Sequence, residues 1–196
     1  MHITFTKENL LHVVNVLQKV SKNKTRYNSP AAIYMTTKDN KVEFQANDFE
    51  LGMKISIDAT IQEPGTAVLS SYNFNTFVQK SPDSTITINK PEDSNKVTLA
   101  SGTAEFNFVT INPEDFALVE QIHNENQIDL DTDTLKELID LTTYAAATED
   151  DRPVFQGALL EINENEVTMV ATDTHRMAVK KVTIESPVAA PVRCII

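Results

Sequence analysis

ITFTKENLLHVVNVL (residues 3–17) and NKVEFQANDFELGMKISI (40–57) return as IDLDTDTLKELIDL (128–141) and NEVTMVATDTHRMAVKKV (165–182), at one ungapped offset of 125 residues. Ile3 falls on Ile128, Leu10 on Leu135, Asn40 on Asn165, Val42 on Val167, Ala46 on Ala171 and Asp48 on Asp173. A register kept over about fifty positions marks a chain built by repeating a domain. The copies differ most where Phe49-Glu50-Leu51 gives way to Thr174-His175-Arg176, and a site is sought there.

Working outward, Leu10, Val13, Val14, Leu17 and Val20 recur at helical spacing, with Thr6 placed as N-cap. Leu135, Leu138, Ile139 and Thr142 repeat that stripe behind Asp131. A shorter stripe, Phe74, Phe77 and Val78, follows Ser70-Ser71 and is stopped by Pro82. Between the helices the period falls to two: Val42, Phe44 and Ala46; Ile55 and Ile57; Ile86 and Ile88; Val97 and Leu99; Phe106 and Phe108; Val167, Met169 and Ala171. Turn residues at 38–40, 91–95, 101–103 and 163–165 separate these runs. The order is strand, helix, then three antiparallel strands. NKV at 40–42 recurs at 95–97, so residues 1–115 read as two such halves and 128–196 as one half plus the opening of another. The apolar end, VRCII, reads as the edge of a fragment.

No apolar run approaches the roughly 18–20 residues of a membrane helix, and the N-terminus lacks the parts of a signal peptide. The single cysteine, Cys194, leaves no internal disulfide and fits a reducing cytoplasm. Four unclustered glycines offer no phosphate-cradling loop, and no cofactor or metal motif is present. A formal charge of −11 argues against holding nucleic acid by bulk electrostatics. Yet from Lys7 to Arg26 there are five basic side chains against one acidic, Glu8. Lys22, Lys24 and Arg26 could contact phosphates or only solvate a helix end; three contacts give a log–log salt slope of about −3. Asp173 and His175 have the spacing of an oriented imidazole but no nucleophile beside them, and Asp48 shares the aspartate without the histidine, so the aspartate is read as serving a turn. His175 and Arg176, flanked by Met169, Val170, Met177 and Val179, suit either a short peptide with apolar anchors and an acidic end or a plain solvated strand.

RPVFQGALLE (152–161), VATDTHRMAVKK (170–181), the FT-x-x-x-LL helix start, Pro30, SGTAEFNF (101–108) and NPEDF (112–116) together resemble the bacterial sliding clamp, the DNA polymerase III beta subunit. The resemblance spans the chain. It implies an α+β fold of tandem DNA-clamp domains, each of two strand-helix-three-strand halves, with antiparallel sheets outside and helices inside. It divides the chain into an N-terminal clamp domain (1–118), a linker (119–127) and an incomplete central domain (128–196). It implies a non-enzymatic processivity factor that closes as a homodimeric ring around double-stranded DNA, with no cofactor. By the resemblance Lys22, Lys24, Arg26 and Arg152 face DNA. Phe155, Thr172, Thr174, His175, Arg176 and Met177 form a pocket for polymerase and clamp-loader peptides. Phe77, Phe106 and Phe108 meet the other protomer, or are ordinary core. Thr174 in place of Ser or Gly narrows the pocket rim, and Phe155 in place of an aliphatic makes one subsite shallower. Asp133, Lys136, Glu137 and Asp140 leave the third helix acidic, which departs from the pattern and supports a runner-up: a peptide-binding adaptor that does not encircle DNA. A hydrolase built on Asp173 and His175 ranks third.

Overall fold

The computed structural model describes residues 1–21, 31–48, 51–92, 94–119, 129–149, 152–185, 187–188 and 190–196. The chain divides into two compact units, Met1–Gln121 and Ile122–Ile196. Antiparallel sheets with few helices make each of them, as the sequence predicts. Lys22, Lys24 and Arg26 lie outside the described residues.

In the first unit β1 (His2–Thr6) runs into α1 (Lys7–Leu17), followed by β2 (Ala32–Lys38), β3 (Lys41–Asn47) and β4 (Gly52–Ile57). A short strand, β5 (Thr60–Glu63), then precedes β6 (Thr66–Ser70), α2 (Ser71–Lys80), β7 (Thr85–Asn89), β8 (Lys96–Ser101) and β9 (Ala104–Val109). The caps are those the sequence offers. Asn9 donates its backbone N–H to Thr6 Oγ1 at 3.3 Å, and Asn73 donates to Ser70 Oγ at 3.4 Å. α1 ends at Leu17, so of the basic stretch Lys19 follows the helix in a turn rather than closing its last turn. Asp39 and Asn40, at φ of 50° and 61°, make the two-residue turn between β2 and β3 that right-twisted hairpins favour.

The strands combine as β4-β3-β2-β6 and β5-β1-β7-β8-β9. Each half therefore gives its first strand to the other half's sheet: β6 completes β2 to β4, and β1 lies between β5 and β7. The sequence order did not reveal this exchange. Leu10, Val13, Val14 and Leu17 of α1 and Phe74 and Val78 of α2 are fully buried with Phe5, Ile33, Met35, Val42, Phe44, Leu69, Ile86, Ile88, Val97 and Leu99 in one core. Each such aliphatic or aromatic side chain contributes about 1.5–3 kcal/mol on burial.

The second unit has α3 (Thr132–Thr142), β10 (Leu159–Asn163), β11 (Glu166–Thr172), β12 (Met177–Thr183) and β13 (Val192–Ile195), paired as β12-β11-β10-β13. The 125-residue shift maps α1 onto α3 and β3 onto β11 end to end, and β13 onto β6 within a residue. Asp131 Oδ2 caps α3 by accepting from the Asp133 and Thr134 backbones at 3.0 and 3.1 Å. Val167, Met169, Ala171 and Leu138 form the core, with Thr142 buried where the first unit has Leu17. Its hydroxyl returns to the Leu138 carbonyl at 2.7 Å, which satisfies it inside the helix. One position of the expected stripe fails. Ile139, the counterpart of buried Val14, is 37% exposed. Leu138→Ala should destabilise the chain by about 2–5 kcal/mol, and Ile139→Ala by about 1 kcal/mol or less, in urea melts followed by circular dichroism.

Candidate functional site

β11 and β12 alternate between two faces. Val167, Met169, Ala171 and Ala178 point into the core on which α3 packs. Their neighbours form the other face, and strand pairing sets these in rows. Ile195, Leu159, Val170 and Val179 are consecutive cross-strand partners over all four strands. One row along, Arg193, Glu161, Thr168 and Lys181 pair in the same way; Arg193 Nε lies 3.0 Å from Glu161 Oε1, and Lys181 Nζ lies 2.7 Å from Glu166. An apolar stripe bordered by charged groups results, on a sheet face that α3 leaves open.

A groove of about 510 Å³ lies on this stripe, lined by Val154, Phe155, Gly157, Leu159, Val170, Thr172, Arg193, Cys194 and Ile195. Pro153 begins a 3₁₀ turn, Pro153–Phe155, that sets Phe155 on the wall, and the Arg152 guanidinium lies 4.5 Å from the centre of the Phe155 ring. Gly157 lets the end of β13 approach closely: a Cβ there would stand 2.6 Å from Ile195 Cγ2.

The turn after Thr172 adjoins the groove. Asp173 Oδ1 accepts the backbone N–H of His175 and of Arg176, both at 2.9 Å, and Oδ2 accepts Arg176 Nε at 2.9 Å. In the first unit Asp48 Oδ1 accepts the Leu51 N–H at 2.7 Å, so the two aspartates do the same work. The turn reading of Asp173 holds, and its carboxylate is spent on the loop rather than on the His175 ring. Thr172 Oγ1 donates to the Arg176 carbonyl at 2.7 Å and accepts from the Thr174 N–H at 3.1 Å, tying the turn from inside. Thr174 has φ of 75°, a conformation that suits glycine and strains a β-branched residue.

Of the six residues expected to hold peptide, Phe155 and Thr172 line the groove. Thr174, His175, Arg176 and Met177 form the turn and strand start beside it, with Met177 directly opposite Thr172 and 67% exposed. Arg152, expected to face DNA, stands over Phe155. Val170 and Val179 were named beside His175 and Arg176 in the sequence, whereas Leu159, Arg193 and Ile195 were not. The signal for Leu159 was two-sided apolarity: Ala158-Leu159-Leu160 has no polar residue for a solvated face.

In the first unit β9 is the free edge of its sheet. Phe77 and Phe108 pack on the core, whereas Phe106 is 41% exposed, with ring centres 6.5 Å from Phe77 and 5.5 Å from Phe108. A cavity of about 430 Å³ between α2 and this edge is lined by Tyr72, Phe77, Lys80, Glu105 and Phe106 among others.

A family model described as DNA polymerase III beta subunit, N-terminal domain, matches residues 1–120, and the model of the central domain of the same subunit matches residues 129–196. The beta sliding clamp of Bacillus subtilis is 28% identical over 195 residues, 95% of this chain and 51% of its own length. A crystal structure of the Bacillus subtilis clamp superposes with a TM-score of 0.92 at 27% identity, covering all of this chain and 53% of that one. A putative beta subunit from Eubacterium rectale gives 0.90 at 30% identity, with the same coverage. The chain thus spans about half the length of the curated relatives it matches.

Hydrogen bonds from the Arg176 backbone, then the His175 backbone and the Arg176 guanidinium, hold the Asp173 carboxyl below its ordinary range. Because the folded-state value is lowered, the stabilisation is present above the unfolded value and is lost as pH falls through the folded one. An NMR titration of Asp173 should show a midpoint below the about 3.9 of a free aspartate, and Asp173→Asn should abolish the acid response of the His175 and Arg176 amides. Thr174→Gly should raise stability by about 0.5–1 kcal/mol in thermal melts, as relief of the positive φ exceeds glycine's entropy cost.

Proposed function

The chain belongs to the DNA polymerase III beta subunit family, and from that premise we propose that it is part of a sliding clamp, a non-catalytic processivity factor working on DNA in the cytoplasm. Residues 1–118 form a first clamp domain and 128–196 part of the central one, joined by 119–127. The assembled protein is a homodimeric ring that encircles duplex DNA without reading sequence and tethers polymerase and loader through short peptides. The observation that carries this is the apolar groove beside the Thr172–Met177 turn, which offers anchor sites on the sheet face away from α3.

Encirclement reconciles a charge of −11 with work on DNA, since a closed ring is held by topology and its phosphate contacts stay weak enough for sliding. Lys22, Lys24, Arg26 and Arg152 are the proposed contacts, and the Arg152 guanidinium also lies over the Phe155 ring on the groove wall. The β9 edge with Phe106 is the proposed ring joint, supported by an edge strand, paired on one side with β8, that carries an exposed aromatic. A second reading, an adaptor that binds peptides without encircling DNA, is favoured by α3, whose Asp133, Lys136, Glu137 and Asp140 are all exposed with a net acidic balance.

Fluorescent peptides from replicative polymerases should bind this chain, and Leu159→Glu and Met177→Glu should each weaken them about tenfold or more. Retained affinity in both variants, with unchanged melting, rejects the groove as the docking site. In this reading β9 meets a domain in the length of the relatives that this chain does not span. The 196-residue chain should therefore behave as a monomer or weak associate in light scattering; a stable ring-sized dimer overturns that assignment of the joint.

A further inference from the structure

α1 and α2 pack side by side in the first unit, and beyond the end of α1 their seam turns polar. Up to Leu17 the contact is apolar: Val13, Val14 and Leu17 share the core with Phe74 and Val78. Past it, Asn75 Nδ2 donates to Gln18 Oε1 at 3.0 Å, and the hydroxyls of Ser21 and Ser71 lie 2.6 Å apart, the two residues being 8% and 5% exposed. Asn75 Oδ1 is buried with no hydrogen-bond partner among the described residues. Such a seam contributes little stability, because a buried hydroxyl pair is nearly interchangeable with two small apolar groups and an unmatched acceptor destabilises.

Ser71, the first residue of α2, holds two segments at once. Its hydroxyl meets Ser21, and its backbone N–H, one of the donors a helix start leaves unmatched, donates to the Ala31 carbonyl at 3.0 Å. The chain therefore departs at Ser21 and re-enters at Ala31 against one residue. Between them stand residues 22–30, KNKTRYNSP, which carry Lys22, Lys24 and Arg26 and no acid. The flanking residues are secured separately, Val20 in the core and Ala32 by pairing with Ser70, so the fold does not depend on the hydroxyl pair.

The second unit supplies an internal control. The shift that lays α1 on α3 carries Ser21 to Ala146, and residues 22–30 to ATEDDRPVF (147–155), with Glu149, Asp150, Asp151 and a single cation, Arg152. The copy that lacks the hydroxyl also lacks the cluster of cations.

We propose that, granting the phosphate-contact reading of Lys22, Lys24 and Arg26 above, Ser21 and Ser71 are positioning residues for DNA: their shared hydrogen bond ties the start of the basic stretch to the residue that already holds its end. Fixing both ends at one point removes conformational freedom before DNA arrives, so less is lost when phosphates are contacted. Both hydroxyls are buried and act through the cations rather than on the duplex.

The test is an NMR titration of the 196-residue chain with a short DNA duplex over a series of low salt concentrations. Ser21→Ala and Ser71→Ala together leave no orphaned hydroxyl, so thermal melting should be nearly unchanged. Affinity for the duplex should fall about threefold, and the log–log salt slope of about −3 should shrink by about one contact. With Lys22→Ala, Lys24→Ala and Arg26→Ala already in place, the same pair should change nothing, because groups that act through one another are not additive. Unchanged affinity without the hydroxyls, while the cation variant weakens binding, overturns the proposal and leaves the contact reading standing. A loss that persists in the cation-free background, or a collapse in melting temperature, assigns the pair to structure alone and also overturns it. A cation variant that behaves toward the duplex as the parent does rejects the contact reading, and the proposal with it.

Discussion

The exchange of first strands in the first unit is the constraint on which its other features rest. A sheet of three strands over one helix leaves an edge open at each side; here β6 closes one sheet and β1 enters the other, so neither half has a complete core alone. The two helices then share that core: Phe44 of β3 lies 5.8 Å from Phe5 of β1 and 6.1 Å from Phe74 of α2, ring centre to ring centre. With both inner faces filled in this way, the outer faces are free to be covered by the chain itself or left available.

What differs between the repeats is therefore concentrated on the outer face and at the sheet edges. Inside, Val42, Phe44 and Ala46 correspond to Val167, Met169 and Ala171, all buried. Outside, Tyr34, Gln45 and Asn47 correspond to Leu159, Val170 and Thr172: Gln45 and Asn47 bond the backbone of Val119 and Ala117, whereas Val170 has no polar group and Thr172 spends its hydroxyl on its own turn. The shared Asp48 and Asp173 hold equivalent turns in place under both surfaces.

Much of this was readable from the residues. Thr6, Ser70 and Asp131 announced the helix starts because a capping side chain acts within three residues. The alternating strands were visible because burial on one face imposes a period of two. Ile139 misled, since a helical stripe cannot say how wide the covered face is: α1 packs against α2 in the first unit, and among the described residues α3 has no second α-helix beside it. The strand exchange was invisible because pairing β1 with β7 is a long-range choice that no local pattern encodes. The TDTHR segment pointed to the turn that adjoins the groove. Its neighbours Leu159, Arg193 and Ile195 entered only when the strand registers brought distant segments side by side.

β1 has a consequence for synthesis. Its partners are β5 and β7, and β7 ends at Asn89, so β1 is paired on both edges only after roughly eighty further residues, on the order of 4–16 s at about 5–20 residues per second on the ribosome. Until β3 and β5 follow, Phe5 lacks the Phe44 ring and Ile3 lacks the strand that pairs at Ile61, and α1 is the apolar surface made beside them first. The helix thus gives its neighbour early cover before the rest of the sheet arrives.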